Sequence, residues 1–294
     1  MFDTAYIIDY KRYLTSERHS PANTVTSYIH DITRFAYFLD ESGKTCFDTA
    51  TGDDVKRFLT QLEASGLSRA TLSRCIASLK AFFNHLYNEG RILQNPASDI
   101  TAAAVIKKPP RILTDGEIVS LLEQPGNKDP KGSRDKAMLE TMYATGMRVS
   151  ELVALDISDV SLETGLITCR NGKERIIPVY AAAVAALDFY LSSARPVIAQ
   201  QGENALFVNI NGGRISRQGF WKILKSYTEK ARIQVDITPQ ILRNSFAAHL
   251  LENGADLHSL QEMLGHADLS STQVYARVVK QQLKDIYNKS HPRA

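Results

Sequence analysis

The feature that most constrains this chain is a break near residue 106, which separates two stretches of regular apolar spacing. Residues 102–111 carry two prolines and three basic residues and show no apolar periodicity. Such a composition is typical of a linker. We therefore predict two domains, residues 1–105 and 113–294, joined by a linker over 106–112. With 294 residues, the chain is long enough for each domain to bury its own core.

Four helical patterns fill the first domain. Apolar residues recur at helical spacing on both sides of Ser20 and Pro21, and again over residues 52–65 and 68–89. Proline suits a turn or the first turn of a helix, so this dipeptide separates the first two helices. Four helices of this length predict a compact bundle.

The second domain is predicted to be mostly helical. Thr114 and Glu117 have the spacing of a capping box, which predicts a helix start. Gly265 follows an apolar-periodic segment and predicts a helix end, so His266 lies just beyond a C-terminus. Tyr275 is then expected at the start of another helix. The whole chain is therefore predicted to be of the mainly α class.

One β-hairpin interrupts these helices. Asn171 and Gly172 lie between two β-like runs, and Asn-Gly is the strongest short-range signal for a two-residue hairpin loop. In that geometry Arg170 and Lys173 are directly opposed and project to one face of the hairpin.

Composition argues against several classes of protein. The hydrophobic fraction of 44% and the charged fraction of 23% are ordinary for a globular protein. The N-terminus has no basic segment followed by an apolar stretch, and no uninterrupted apolar run approaches the roughly 20 residues of a membrane span. We therefore expect a cytoplasmic location and no membrane partner. The net charge of +3 is too small to reveal a nucleic-acid partner by itself.

The three cysteines, Cys46, Cys75 and Cys169, are widely spaced and form no C-x-x-C pair. Neither a disulfide framework nor a zinc site is supported by that pattern. His266 also lacks neighbouring ligands at zinc spacing. We therefore expect reduced thiols, no metal and no cofactor.

Two arginines, a histidine and a tyrosine stand in an order suited to phosphodiester chemistry. They are Arg148 in Gly-Met-Arg-Val-Ser-Glu-Leu, Arg243 in Leu-Arg-Asn-Ser-Phe, His266 in Leu-Gly-His, and Tyr275 nine residues later. A guanidinium fork donates two hydrogen bonds to nonbridging phosphate oxygens, and a phenol can attack phosphorus to form a covalent ester. Taken singly, each has a structural alternative: Arg148 could merely pair with Glu151, and Tyr275 could be a core residue.

This ordered set resembles the motifs of the tyrosine recombinases, most closely the bacterial Xer subfamily, down to the terminal His-Pro-Arg-Ala. The resemblance implies an N-terminal four-helix SAM-like core-binding domain and a C-terminal, mostly helical catalytic domain with a small sheet. It also implies site-specific DNA cleavage and rejoining through a 3′-phosphotyrosyl intermediate and a Holliday junction. Arg148 and Arg243 would clamp the phosphate, His266 would bond near it, and Tyr275 would be the nucleophile.

The same resemblance implies partners. The substrate would be a double-stranded DNA recombination site, bound by a homo- or heterotetramer with a partner recombinase on two duplexes. An amphipathic pattern at Val279, Leu283, Ile286 and Tyr287 resembles the tail that the family donates to a neighbouring protomer. In the Xer subfamily the role is resolution of chromosome dimers at cell division, with a DNA translocase as a further partner.

The sequence departs from the family where proton transfer is usually located. Gln240 stands three residues before Arg243, where the family commonly has histidine, and Asn244 replaces the histidine that often follows the arginine. Glutamine donates a hydrogen bond to a phosphate oxygen but cannot move a proton. We keep Gln240 among the catalytic residues as such a donor.

The general acid has two candidates because this hairpin is shorter than that of the family. Alignment from the following Lys-Glu-Arg puts Arg170 at the family's lysine position, whereas residue type favours Lys173. Protonating the leaving 5′-oxygen favours lysine, whose reference pKa is about 10.4, over arginine, above about 12. We assign Lys173 as the acid and Arg170 as a DNA contact.

Basic residues on predicted helices supply further candidate DNA contacts, although a solvated helix face explains each of them equally well. They are Arg69, Arg74 and Lys80 in the first domain and Arg217 in the second.

Three other functions stay open at this point. An integrase of a mobile genetic element would have the same chemistry and differ only in its site and genomic context. Given Gln240 and the shortened hairpin, the chain could also be a catalytically weakened homologue that binds DNA or junctions. A topoisomerase-like nicking and closing activity is a lesser alternative.

Overall fold

The computed structural model of the chain describes residues 4–101, 110–266 and 268–279. The chain divides into two compact units, Met1–Lys107 and Lys108–Ala294. Of the predicted linker over 106–112, residues 106–109 lie outside the described residues, as does the tail pattern beyond Val279.

The first unit contains the four predicted helices. A π-helical turn over Tyr13–Glu17 continues the first of them, and a short 3₁₀ turn over Phe47–Thr49 precedes the third. The helices are α1 Ala5–Arg12, α2 Ala22–Glu41, α3 Gly52–Ala64 and α4 Arg69–Asn88.

Local signals and buried aromatic rings together explain these helices. Thr51 and Ser68 cap α3 and α4 by accepting a backbone N–H with their side-chain oxygens. The apolar stripes of the helices meet in a core of fully buried rings, and the Phe47 ring packs edge-on to Phe82 at 4.7 Å between centroids. Each such ring contributes about 1.5–3 kcal/mol on burial.

The second unit is mostly helical with a small antiparallel sheet of order β1-β2-β3. The mainly α class predicted from the sequence is therefore confirmed. Its helices are α5 Asp115–Leu122, α6 Pro130–Thr145, α7 Val149–Leu152, α8 Ala181–Phe189, α9 Arg195–Ile198, α10 Arg217–Lys230, α11 Pro239–Glu252, α12 Leu257–Leu264 and α13 over residues 270–279. The strands are β1 Val160–Ser161, β2 Leu166–Cys169 and β3 Arg175–Pro178.

One predicted helix start and one predicted helix end are confirmed, and a second predicted start is wrong. Thr114 and Glu117 form the capping box of α5, and Gly265 ends α12 with a left-handed φ of 64°. Because α13 begins at residue 270, Tyr275 lies in the middle of that helix rather than at its start.

The prediction of a two-residue loop in the hairpin is wrong. Cys169 pairs with Arg175 in the register of β2 and β3, so residues 170–174 form a five-residue loop and Arg170 does not oppose Lys173. The tight Asn-Gly turn needs a positive φ at both residues. Here only the glycine, Gly172, has one, at 98°.

One helical segment in the described part of the chain, Ala181–Ile198, is long and apolar enough to cross a membrane by length and composition alone. It comprises α8, a π-helical turn over Tyr190–Ala194, and α9. Ala183, Leu187 and Tyr190 are fully buried, the last two in the main hydrophobic core of this unit. One side of the segment therefore packs in the interior of this unit.

Candidate active site

Gly146 ends α6 and so sets the position of Arg148, the first arginine of the site. Gly146 ends α6 with a left-handed φ of 56°, which glycine adopts without strain. A Cβ here would lie 2.1 Å from the Phe246 ring, so the close approach of α6 and α11 also requires glycine. Arg148 follows two residues later, at the N-terminus of α7, with 47% of its side chain exposed.

Glu151 holds two arginines at once. Its carboxylate accepts from the Arg148 backbone N–H at 2.7 Å and from the Arg148 guanidinium at 3.1 Å. Arg175 donates to both carboxylate oxygens, at 2.8 and 3.2 Å. Burial raises the pKa of Glu151, but the hydrogen bonds from Arg175 and Arg148 outweigh it and hold that pKa below its usual range. Glu151 is therefore an anion that orients both arginines.

Arg175 was missed by the sequence reasoning. It donates to the Met263 carbonyl oxygen at 2.6 Å. Its guanidinium lies 2.9 Å from the position that a Cβ on Gly265 would take. The side chain is only 7% exposed. Strand alternation is the signal that could have found it, because Arg175 shares a face of β3 with the buried Ile177.

Arg243 is buried on α11, and its guanidinium donates hydrogen bonds to groups at the C-terminal ends of α6 and α12. It donates to the Gly146 carbonyl oxygen at 2.7 Å, to that of Leu264 at 2.8 Å, and to His266 Nε2 at 3.0 Å. Burial and the nearby Arg148 lower the pKa of Arg243 to about 10. It therefore remains a cation at neutral pH.

His266 is a neutral imidazole in a defined tautomer. Because Nε2 accepts from Arg243, the proton lies on Nδ1, which donates to Thr272 Oγ1 at 2.9 Å. Burial, Arg243 and Arg148 lower the pKa of His266 to about 4. The ring stacks on Tyr275, with centroids 6.4 Å apart and planes at 16°.

Tyr275 is 5% exposed, and its hydroxyl points at α11. The hydroxyl donates to Asn244 Oδ1 at 3.3 Å, and Gln240 Nε2 donates to the same oxygen at 2.9 Å. Burial raises the pKa of Tyr275, against the opposing effect of the Arg243 charge. The phenol is therefore protonated at neutral pH. Arg148, Arg243, His266 and Tyr275, although far apart in sequence, thus lie in one site, with Gln240 beside it.

The hairpin residues lie in the exposed loop between β2 and β3. Arg170 pairs with Asp159, while the Lys173 ammonium has no hydrogen-bond or ion-pair partner among the described residues. The Lys173 carbonyl oxygen accepts from Arg175 at 3.2 Å, which connects the loop to the site. Neither basic side chain contacts the arginine and tyrosine cluster here.

The four other basic candidates differ in what they bind. Arg74 donates to the buried Asp31 at 2.8 Å, and Lys80 donates to the Ser98 carbonyl oxygen at 2.9 Å. Both have structural partners within the first unit. Arg69 and Arg217 are exposed at the starts of α4 and α10.

Among the described residues, no group of three or more His, Cys, Asp and Glu is arranged to hold a metal ion. The three cysteines are free thiols.

Comparison with known proteins identifies the class. Residues 111–282 match the model of the phage integrase family, and residues 7–90 match that of the phage integrase N-terminal SAM-like domain. The chain therefore belongs to the phage integrase family, the tyrosine recombinases.

Its relatives identify the Xer branch of this family. The chain is 45% identical to the tyrosine recombinase XerD of Oceanobacillus iheyensis, over 98% of each protein. It is 41% identical to the tyrosine recombinase XerC of Pelotomaculum thermopropionicum, again over 98% of each. A crystal structure of the XerH site-specific recombinase bound to its palindromic difH substrate shares the fold, with a TM-score of 0.74 at 23% identity, over 91% of this chain and 80% of that one.

The histidine makes a testable electrostatic prediction. In the DNA-free protein we expect the His266 imidazole to stay neutral down to about pH 5, because burial and the nearby arginines disfavour its protonation. A phosphodiester that binds between Arg148 and Arg243 offsets their charge, so the pKa of His266 should rise on DNA binding. An ¹⁵N NMR titration of the histidines, assigned with His266→Gln, measures both effects. A midpoint near the ordinary 6.5 in the free protein would contradict this arrangement.

Proposed function

We propose that this chain is a site-specific DNA recombinase in which Tyr275 attacks a phosphodiester held between Arg148 and Arg243. The attack forms a 3′-phosphotyrosyl ester and releases a 5′-hydroxyl, and a second 5′-hydroxyl later reverses the reaction to rejoin the strand. The observation that carries the proposal is the convergence of these three side chains and His266 in one site.

The two arginines would contribute differently. Arg148 has an exposed guanidinium whose pairing with Glu151 leaves most of its five N–H donors available to phosphate. Arg243 is buried and cationic, and the donor that it now gives to His266 Nε2 can turn to a nonbridging oxygen. Fixed cations in a partly dry site stabilise the charge that develops in the transition state.

The protons must balance across the cleavage step. As its oxygen bonds to phosphorus, the Tyr275 phenol would give its proton to His266 Nε2, which becomes free when Arg243 turns to the phosphate, and the leaving 5′-oxygen gains a proton. Lys173 is the donor that we assign to the leaving oxygen, because its ammonium is exposed on the loop and has no partner among the described residues. Gln240 would contribute a hydrogen bond only.

Basic surfaces on each unit would bind the rest of the duplex. On α10, Arg217, Trp221 and Lys225 recur every fourth residue, and the Lys225 ammonium lies 5.5 Å from the Trp221 ring centroid. All three are exposed, as is Lys222. This face of α10 suits phosphate and base contacts. Arg69 would supply such contacts from the first unit, whereas Arg74 and Lys80 would first have to leave their structural partners.

For the biological role we propose chromosome-dimer resolution of the Xer type in the cytoplasm, with a partner recombinase and a DNA translocase. Relatives named XerD and XerC, similar over nearly their whole length, support this role. A catalytically weakened homologue is the alternative that one observation favours. The two amides, Gln240 and Asn244, hydrogen-bond to each other beside the phenol, and neither can move a proton.

A trapped covalent adduct tests the reaction class. With a DNA substrate nicked close to the cleavage point, we expect an adduct on a denaturing gel that disappears in Tyr275→Phe. Tyr37→Phe, an exposed tyrosine of the first unit, is the matched control and should leave the adduct intact. If specific binding gives no adduct even after a partner recombinase is added, the weakened homologue becomes the better description.

The general acid is tested in the same assay. Lys173→Ala should lower the cleavage rate by about 10²–10⁴ when the leaving group is an oxygen. Replacing the bridging 5′-oxygen by sulfur should restore that rate, because a thiolate leaves without being protonated. Arg170→Ala should weaken DNA binding and keep the rate at saturating DNA. The reverse pattern would give the role of acid to Arg170.

We further propose that protomers assemble into a tetramer through their C-terminal tails. A cavity of about 460 Å³ opens beside α11 in the second unit, with an apolar wall. Its lining includes Val179, Phe246, Leu250 and Met263. The apolar face predicted for the tail lies outside the described residues except for Val279, which is buried, and its chemistry matches this wall.

Deleting residues 279–294 should leave binding to a single site unchanged and weaken assembly on paired sites. Leu250→Glu, which places a charge in the cavity wall, should have the same effect without shortening the chain. Sedimentation velocity of the protein with paired DNA sites separates the two states. Unchanged assembly of both variants would reject the tail as the connecting element.

A further inference from the structure

Asn244 contacts the hydroxyl that we assign as nucleophile. Its Oδ1 accepts from Tyr275 at 3.3 Å and from Gln240 at 2.9 Å. Gln240 and Asn244 are four residues apart on α11, so they share one face of that helix. An amide oxygen accepts two hydrogen bonds, one for each lone pair, and both are occupied here. The Gln240 amide therefore orients Asn244 Oδ1, and Asn244 Oδ1 orients the Tyr275 hydroxyl.

Burial gives this contact its weight. Asn244 is 7% exposed and Tyr275 is 5% exposed. A buried hydroxyl that loses its partner bears the full cost of its desolvation, so the phenol has a strong preference for the direction of Asn244 Oδ1. The neighbouring His266 ring, stacked parallel to the phenol ring, limits tilting of the tyrosine as well.

The charges around this position disfavour an acceptor that can become a cation. The Arg243 and Arg148 charges act on the Tyr275 hydroxyl, and Arg175 is a third cation near Arg243 and His266. The nearby carboxylates are those of Glu151 and Asp268, and His266 is uncharged. An amide oxygen stays an acceptor at any pH, because asparagine does not titrate. A group that could gain a proton here would lose its acceptor atom on doing so.

We propose that Asn244 is a positioning residue for the nucleophile. Held by Gln240, its amide oxygen orients the Tyr275 hydroxyl beside the Arg243 guanidinium. Because neither amide accepts a proton, the pair orients the phenol and takes no part in removing its proton. This inference rests on the proposed role of Tyr275 and adds to it a reason for the two amides at positions 240 and 244.

The test compares wild type with Asn244→Leu and Asn244→His in the nicked-substrate assay at saturating DNA. Leucine keeps the approximate volume but has no acceptor, so we expect adduct formation to slow by about 10–100-fold, the scale on which a misplaced reacting group acts. The dissociation constant for DNA should stay unchanged, because the lost contact is to the tyrosine and not to the substrate.

Histidine places its Nδ1 where Oδ1 lies in asparagine. A neutral imidazole accepts the phenol hydrogen bond, so Asn244→His should form adduct within about threefold of wild type near pH 8. As the pH falls through the pKa of the introduced imidazole, its Nδ1 becomes a donor and the rate should fall. Wild type should not show this additional inflection. A purely structural role for Asn244 would give no such pH dependence.

The outcomes separate this inference from the proposed function. If Asn244→Leu forms adduct within twofold of wild type, the positioning role is overturned while Tyr275 stands. If Asn244→Leu does not fold by thermal melting, the pH profile of Asn244→His decides, and a profile that matches wild type overturns the inference. If wild type forms no adduct, or Tyr275→Phe still does, the proposed function falls, and this inference with it.

Discussion

The rest of the site depends on the ion pairs of the buried Glu151 carboxylate. The carboxylate is shared by Arg148, which is half exposed, and Arg175, which is buried. Removing one partner of a buried ion pair typically costs about 3–5 kcal/mol, because the other charge is left uncompensated. Since Arg175 also binds the Met263 carbonyl oxygen, the same carboxylate connects the first arginine motif to the helix end that precedes His266.

The site carries a surplus of positive charge before any DNA arrives. Three arginines lie near two carboxylates, those of Glu151 and Asp268, and burial together with the surplus charge keeps the His266 imidazole uncharged. Arg243 tolerates burial because three acceptors, two carbonyl oxygens and the imidazole, surround its guanidinium. A phosphodiester carries a single negative charge and so reduces this surplus. The fold thus maintains an anion site in the protein alone.

Local signals predicted most of the fold, and motif order predicted most of the site. Apolar spacing and caps such as Thr114 with Glu117 act within a few residues, so a sequence shows them directly. The hairpin loop was mispredicted because Asn171 does not adopt the positive φ that the tight turn requires. Arg175 and the contact of Asn244 with the phenol were missed because they depend on partners from distant segments. Such pairings follow from the packing of elements and not from any single pattern.

The contact between Gly146 and the Phe246 ring limits how this protein can vary. A side chain at position 146 meets both a left-handed backbone and an aromatic ring 2.1 Å from its Cβ. Making the ring smaller would remove the collision but leave the backbone strain in place. Glycine at position 146 is therefore required whatever residue stands at 246, and a library that randomises position 146 should return glycine.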